Sequence, residues 1–215
     1  MQQRNDRPTI QLVLFDIDGT LVDSFDGYRT AMKKILPAVI NINPPTSLLA
    51  ETFALPVDQA LNKLGVPANK WAQVMAAYTQ LDDGQTPMFS GIVALIRRLK
   101  QLGYQVGVVT SRSRNDLAPL GPTLSRMVDV IVTADDTQTH KPAPAPLLAA
   151  VQAMAGQPAT TLYIGDAQVD ELAAQAAGVV FGYAAWNPLA NSTTSQTVLT
   201  FSTPQTVLNW IMNEL

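Results

Sequence analysis

Residues 10–20 read IQLVLFDIDGT. Apart from Gln11, the first six positions are apolar without the alternation of a half-buried strand. A run of that kind suits a strand covered on both faces, as in the middle of a parallel sheet. It stops at Asp16-Ile17-Asp18-Gly19-Thr20, so two acids and a turn fall at the strand's carboxyl end.

Further runs of the same character follow at residues 105–110 (QVGVVT), 128–133 (VDVIVT), 161–164 (TLYI) and 179–183 (VVFGY), with a weaker one at 198–201. Helical patterns alternate with them. Ser90 reads as the cap of a helix whose apolar positions are Ile92, Leu95, Ile96 and Leu99, with Gly103 beyond its end. Residues 145–155 are rich in Ala and Leu, and residues 169–177 have the same character and stop at Gly178. Thr203-Pro204 sets a capping residue before a proline at the first helical position, after which Val207, Leu208, Ile211 and Leu215 share one face. Strand–helix alternation predicts an α/β fold: a doubly wound, Rossmann-like parallel sheet with right-handed crossovers.

Residues 21–89 break the alternation. Phe25, Tyr28, Met32, Ile35, Leu36 and Val39 fall at helical spacing, as do Val57, Ala60, Leu61 and Leu64, then Trp71, Val74, Met75, Tyr78 and Leu81. A connection of that length inside a compact α/β domain must have structure of its own. The expected organisation is an α/β core from residues 1–20 and 90–215, with an inserted helical domain at 21–89. The aromatic and Met positions of the insert read as its core. Residues 187–197 (NPLANSTTSQT) read as a polar surface loop.

Composition narrows the function. The chain is 47% hydrophobic and carries a net charge of -3, with a pI near 5.0. It has material for a core and lacks the basic face of a general nucleic-acid binder. It has no cysteine, which excludes disulfides and thiolate metal sites and fits a reducing compartment. No apolar run approaches the roughly 20 residues of a membrane span, and the polar start leaves no room for a signal peptide. A soluble, cytoplasmic protein is expected. Oligomeric state is left open by the sequence.

Four stretches carry chemistry. The pair Asp16 and Asp18 after a buried strand calls for a cation between two carboxylates, and a hard divalent ion such as Mg2+ prefers oxygen ligands; an ordinary Asp-Gly turn is the competing explanation. Gly165-Asp166-Ala167-Gln168-Val169-Asp170 opens a helix with two acids about one turn apart, and helix capping accounts for one of them better than for both. Thr110 and Ser111 offer hydroxyls and turn N–H groups to phosphate oxygens, although such residues are common after strands. His140-Lys141-Pro142-Ala143-Pro144 offers an ammonium for phosphoryl charge, or a proline-rich ligand for another protein. His140 is the only histidine, which leaves the acid–base chemistry to carboxylates.

Each stretch ends a predicted parallel strand, where one crevice gathers ligands. In that order, DIDGT (residues 16–20), VVTS (108–111), HKPAP (140–144) and GDAQVD (165–170) resemble the motifs of the haloacid-dehalogenase-like phosphohydrolase superfamily. The resemblance spans about residues 11–183. The pattern DGTLVDS followed by a helical insert looks like the branch of phosphoglycolate phosphatases, pyrophosphatases and β-phosphoglucomutases, whose members carry a helical cap at this position.

The resemblance implies a Mg2+-dependent phosphatase acting on a small phosphorylated metabolite. Asp16 would be the nucleophile forming an aspartyl-phosphate, and Asp18 the general acid and base. Thr110 and Lys141 would hold phosphoryl oxygens. Asp16, the Asp18 carbonyl and Asp166 would bind Mg2+, with Asp170 in a supporting or alternative ligand position. Ala167 departs from the usual Thr or Ser, removing a hydroxyl but no ligand. Arg112 and Arg114 are candidates for a second anionic group of the substrate, as are Ser111 for phosphate and the insert's Arg29, Lys33, Lys34 and Lys63. Rival readings are a sugar-phosphate mutase of the same fold and a binding protein on an inactive copy of it.

Overall fold

The computed structural model describes residues 9–53, 57–81, 86–189 and 199–212. Six strands form one sheet in the order β3-β2-β1-β4-β5-β6: β1 (Leu12–Phe15), β2 (Gln105–Val109), β3 (Val130–Val132), β4 (Thr161–Gly165), β5 (Val180–Ala184) and β6 (Leu199–Phe201). Every pairing is parallel. The order reverses at β1, where β2 leads away on one side and β4 on the other. A sheet of this kind opens its crevice at that point, beyond the carboxyl ends of the strands.

β1 is apolar throughout because each face meets a different core. Val13 and Phe15 pack with α5 (Ile92–Gln101), α7 (Gly121–Met127) and α10 (Pro204–Met212). Leu12 and Leu14 pack on the opposite face with α8 (Ala145–Ala153) and α9 (Gln168–Ala177). Side chains alternate across a strand, so only apolar residues at both parities cover both faces.

Several local expectations need correction. Ser90 is not the cap of α5: Gly91 holds that place at φ 90 and no side chain accepts the first N–H groups. The chain turns through a positive φ at Gly91, so Ser90 stands one residue too early. Thr203 does cap α10, accepting the Thr206 N–H; Leu215 lies outside the described residues, as does most of the 187–197 loop. Two short helices after β2, α6 (Arg114–Leu117) and α7, have too little apolar periodicity to be read from sequence.

A second compact unit spans Asp23–Pro87. It comprises α1 (Ser24–Ile40), α2 (Thr46–Phe53), α3 (Val57–Lys63) and α4 (Trp71–Leu81). The Asp23 side chain caps α1 through the Asp26 N–H, and Asn41 ends it in the left-handed conformation. Tyr28, Met32, Leu36, Leu49, Leu61 and Val74 form its own core. Val57, expected on the apolar face of α3, is 53% exposed, because it sits in the first turn before α3 meets that core. Helix α2 contributes Leu49 and was not distinguished by spacing.

Candidate active site

The turn after β1 places the first two acids. The Asp16 N–H donates to the Ile164 carbonyl at 2.9 Å, so the β1–β4 ladder continues past the strand and Asp16 is only 7% exposed. The N–H groups of Thr20, Leu21 and Val22 then converge on the Ile17 carbonyl. Gly19 closes the turn at φ +76, where a Cβ would stand 2.0 Å from Asp166 Oδ2. Glycine is required there twice, by conformation and by space.

Asp18 faces the turn after β2. Arg112 donates to it from one edge of the guanidinium, Nε to Oδ2 at 2.8 Å and Nη2 to Oδ1 at 2.6 Å. The Arg112 N–H donates to the Thr110 hydroxyl at 3.1 Å, so that turn orients the threonine as well.

Lys141 is nearly enclosed. Its Nζ donates to Asp16 Oδ1 at 2.7 Å, to Asp170 Oδ1 at 2.7 Å and to the Tyr163 hydroxyl at 3.0 Å. The Tyr163 hydroxyl donates to Asp170 Oδ1 at 2.8 Å, and the Ala167 N–H reaches Asp170 Oδ2 at 3.2 Å. Gly165 makes room for this arrangement, since a Cβ there would lie 2.6 Å from the Asp170 carboxyl. Asp166 accepts from Asn187 Nδ2 at 2.7 Å.

Carboxylate oxygens of Asp16, Asp166 and Asp170 lie within 4.8 Å of one another. Burial pushes Asp16 up to about 8 against the pull of Lys141, with Asp170 and Asp18 adding to the rise. Burial, then the Asp170 charge, lifts Asp166 to about 6, while the Asn187 hydrogen bond opposes the shift. Burial alone would lower Lys141, but the charges of Asp16 and Asp170 outweigh it and hold its ammonium charged. One ammonium does not balance these acids. An all-oxygen donor set with excess negative charge fits a hard divalent cation. Two buried hydroxyls, Thr20 Oγ1 and Tyr183 OH, find no hydrogen-bond partner among the described residues, and Tyr183 feels the charge of Asp166.

Asp16, Lys141, Asp166 and Asp170 are thus brought together, and Asp18 and Thr110 share Arg112. Asp170 lies in the acid cluster, yet both its oxygens already accept hydrogen bonds from the protein. Ser111 is exposed. Arg114 is drawn to Asp136, and its N–H to Asp135, so it does not join Arg112 on Asp18. Of the basic residues in the helical unit, Arg29 pairs with Asp26 and Lys63 with Glu51, while Lys33 and Lys34 are exposed. Two contributors went unread in the sequence. Tyr163 sits inside an apolar strand, where a phenol needs a partner, and that was its signal. Asn187 opened what looked like a surface loop and gave none.

A family model described as haloacid dehalogenase-like hydrolase matches residues 13–184. The chain is 31% identical over 183 residues to phosphoglycolate phosphatase from Cereibacter sphaeroides, covering 79% of this chain and 82% of the relative. It is 28% identical over 186 residues to pyrophosphatase PpaX from Bacillus cereus, covering 82% and 84%. A solved HAD-superfamily hydrolase from Geobacter sulfurreducens superposes with a TM-score of 0.78 at 22% identity, over 95% of this chain and 97% of that one. A buried aspartate held by a lysine at the sheet's switch point and a family match over most of the chain agree: the protein belongs to the haloacid dehalogenase-like hydrolase family.

Proposed function

We propose that the chain is a phosphatase of small phosphorylated metabolites that works through an aspartyl-phosphate on Asp16. The observation that carries this is the buried Asp16 carboxylate, held by Lys141 and placed two residues from Asp18 on one turn. An Asp16 oxygen attacks phosphorus as the bond from phosphorus to the leaving oxygen breaks, and Asp18, which takes up a proton once released from the Arg112 fork, delivers that proton to the leaving oxygen. Water then attacks the phosphoryl group, Asp18 takes its proton, and phosphate leaves with the Asp16 carboxylate restored. The Thr110 hydroxyl orients a phosphoryl oxygen, and the Lys141 ammonium offsets phosphoryl charge from its place beside Asp16. Asp16, Asp166 and the Asp18 carbonyl would hold Mg2+, with Asp170 securing Lys141 beside them. When bound, the ion neutralises charge so that one anion can approach another.

Arg112 narrows the substrate class. Its guanidinium presents two donors side by side, a geometry that matches carboxylate and phosphate oxygens. A substrate bearing a second anionic group beside the scissile phosphate, such as phosphoglycolate or pyrophosphate, competes with Asp18 for that fork. We read the inserted unit Asp23–Pro87 as a cap that selects among such substrates.

The test is phosphate release from a panel of phosphomonoesters and pyrophosphate, with Mg2+, with EDTA, and with Asp16→Asn. Release that needs Mg2+ and disappears in both controls supports the reading. Release that survives Asp16→Asn overturns it. Transfer of phosphate back to a sugar in preference to water would favour a mutase.

A further inference from the structure

Asp166 is held by a residue far outside the four motifs. Asn187 Nδ2 donates to Asp166 Oδ2 at 2.7 Å, while the Leu189 N–H donates to Asn187 Oδ1 at 3.0 Å. The second bond fixes the amide: its oxygen already faces an N–H, so the NH2 group must face the carboxylate. The turn carrying Asn187 is itself anchored, because Trp186 Nε1 donates to the Thr20 carbonyl at 3.0 Å. From the other side the Gly19 Cα closes on Asp166 Oδ2 and on Asn187 Nδ2, where a Cβ would stand 2.0 Å and 2.6 Å away. Two turns, those after β1 and β5, therefore close on one oxygen of Asp166, which itself stands on the turn after β4.

We propose that Asn187 is a positioning residue for the metal site: it immobilises Oδ2 of Asp166 and leaves the other oxygen to bind the cation. The inference rests on the metal reading above and extends it to the strand β5 turn. A ligating carboxylate that is hydrogen-bonded by a fixed donor loses less orientational freedom on binding and is kept from turning both oxygens to the ion. The donor also offsets part of the repulsion between Asp166 and Asp170. Loss of such a supporting partner typically lowers metal affinity by about 10- to 100-fold.

The experiment measures Mn2+ dissociation constants without substrate by electron paramagnetic resonance, for wild type, Asp166→Asn and Asn187→Ala, beside the melting temperature of each metal-free protein. Asn187→Ser is the second variant; its hydroxyl can accept the Leu189 N–H but is too short to reach Asp166. The expected result is Mn2+ binding weakened about tenfold or more in both Asn187 variants, with metal-free melting close to wild type. The metal concentration for half-maximal activity shifts by the same factor, and kcat at saturating metal recovers. If wild type binds no Mn2+, the metal reading itself fails. If Asp166→Asn loses binding and the Asn187 variants keep wild-type affinity, the metal reading stands and the positioning role is overturned. Failure of both Asn187 variants to fold also overturns it, since Asn187 is then a strut of the turn.

Discussion

Lys141 has three N–H bonds, and the site offers three acceptors: Asp16, Asp170 and the Tyr163 hydroxyl. Its removal strands two buried carboxylates. Lys141→Met is expected to abolish phosphate release and to lower metal-free stability by about 3 kcal/mol, the usual cost of breaking a buried pair from one side. Chemical denaturation in EDTA measures it, and an unchanged midpoint would contradict the charge balance described here. Tyr163→Phe is milder. It takes one acceptor from Lys141 and one donor from Asp170, both of which keep other partners, so a loss of about 1 kcal/mol is expected with activity reduced and not abolished. Arg112→Ala should raise KM for substrates with a second anionic group more than for simple phosphomonoesters; equal effects on both would remove Arg112 from substrate choice.

At the scale of elements, the turns after the strands decide what the acids can do. Gly19 and Gly178 both have positive φ, but they differ in surroundings. Gly178, after α9, has open space where a Cβ would be, while at Gly19 the Cβ meets Asp166. Gly178→Ala should therefore cost about 1 kcal/mol of backbone strain with activity intact. Gly19→Ala should displace Asp166 and remove activity. Measured kcat beside melting temperatures separates the two, and an active Gly19→Ala protein would refute the close approach. The sheet was legible because β1 shows apolar residues at both parities, which only a doubly covered strand needs. The motif acids were legible because each ends such a strand. What escaped notice had no local pattern. Gly91 displaced the expected cap by one residue, α6 and α7 are too short for a period to show, and Asn187 matters only because β5 lies beside β4. Arg112 and Arg114 looked equivalent in sequence, and only the fold assigns one to Asp18 and the other to Asp136.

For the molecule as a whole, the buried acids tie stability to pH. Asp16 is raised to about 8 and Asp166 to about 6. Between the ordinary carboxylate range and those values, the folded chain keeps protons that the unfolded chain has released. Stability of the metal-free protein should therefore fall as pH rises from 5 to 8, because the folded state binds more protons across that window. On the metal reading proposed above, Mg2+ would compete with those protons, so its stabilising effect should be larger at pH 8 than at pH 5. Melting curves in EDTA and in Mg2+ at both values test this; a metal-free protein that grows more stable toward pH 8 would contradict it.

The parallel order β3-β2-β1-β4-β5-β6 puts the first strand of the chain at the centre and separates Asp16 from Lys141 by 125 residues. During synthesis β1 and β2 emerge long before β4, leaving one edge of the central strand open. Every bond that secures the acids after β4, from Lys141 to Asn187, awaits the last third of the chain. A nascent chain stopped before residue 161 thus exposes an apolar strand edge, a recognised route to misassembly. The same wiring delays the chemistry: no partial product has a finished site, and catalytic competence arrives only as the second half of the sheet docks.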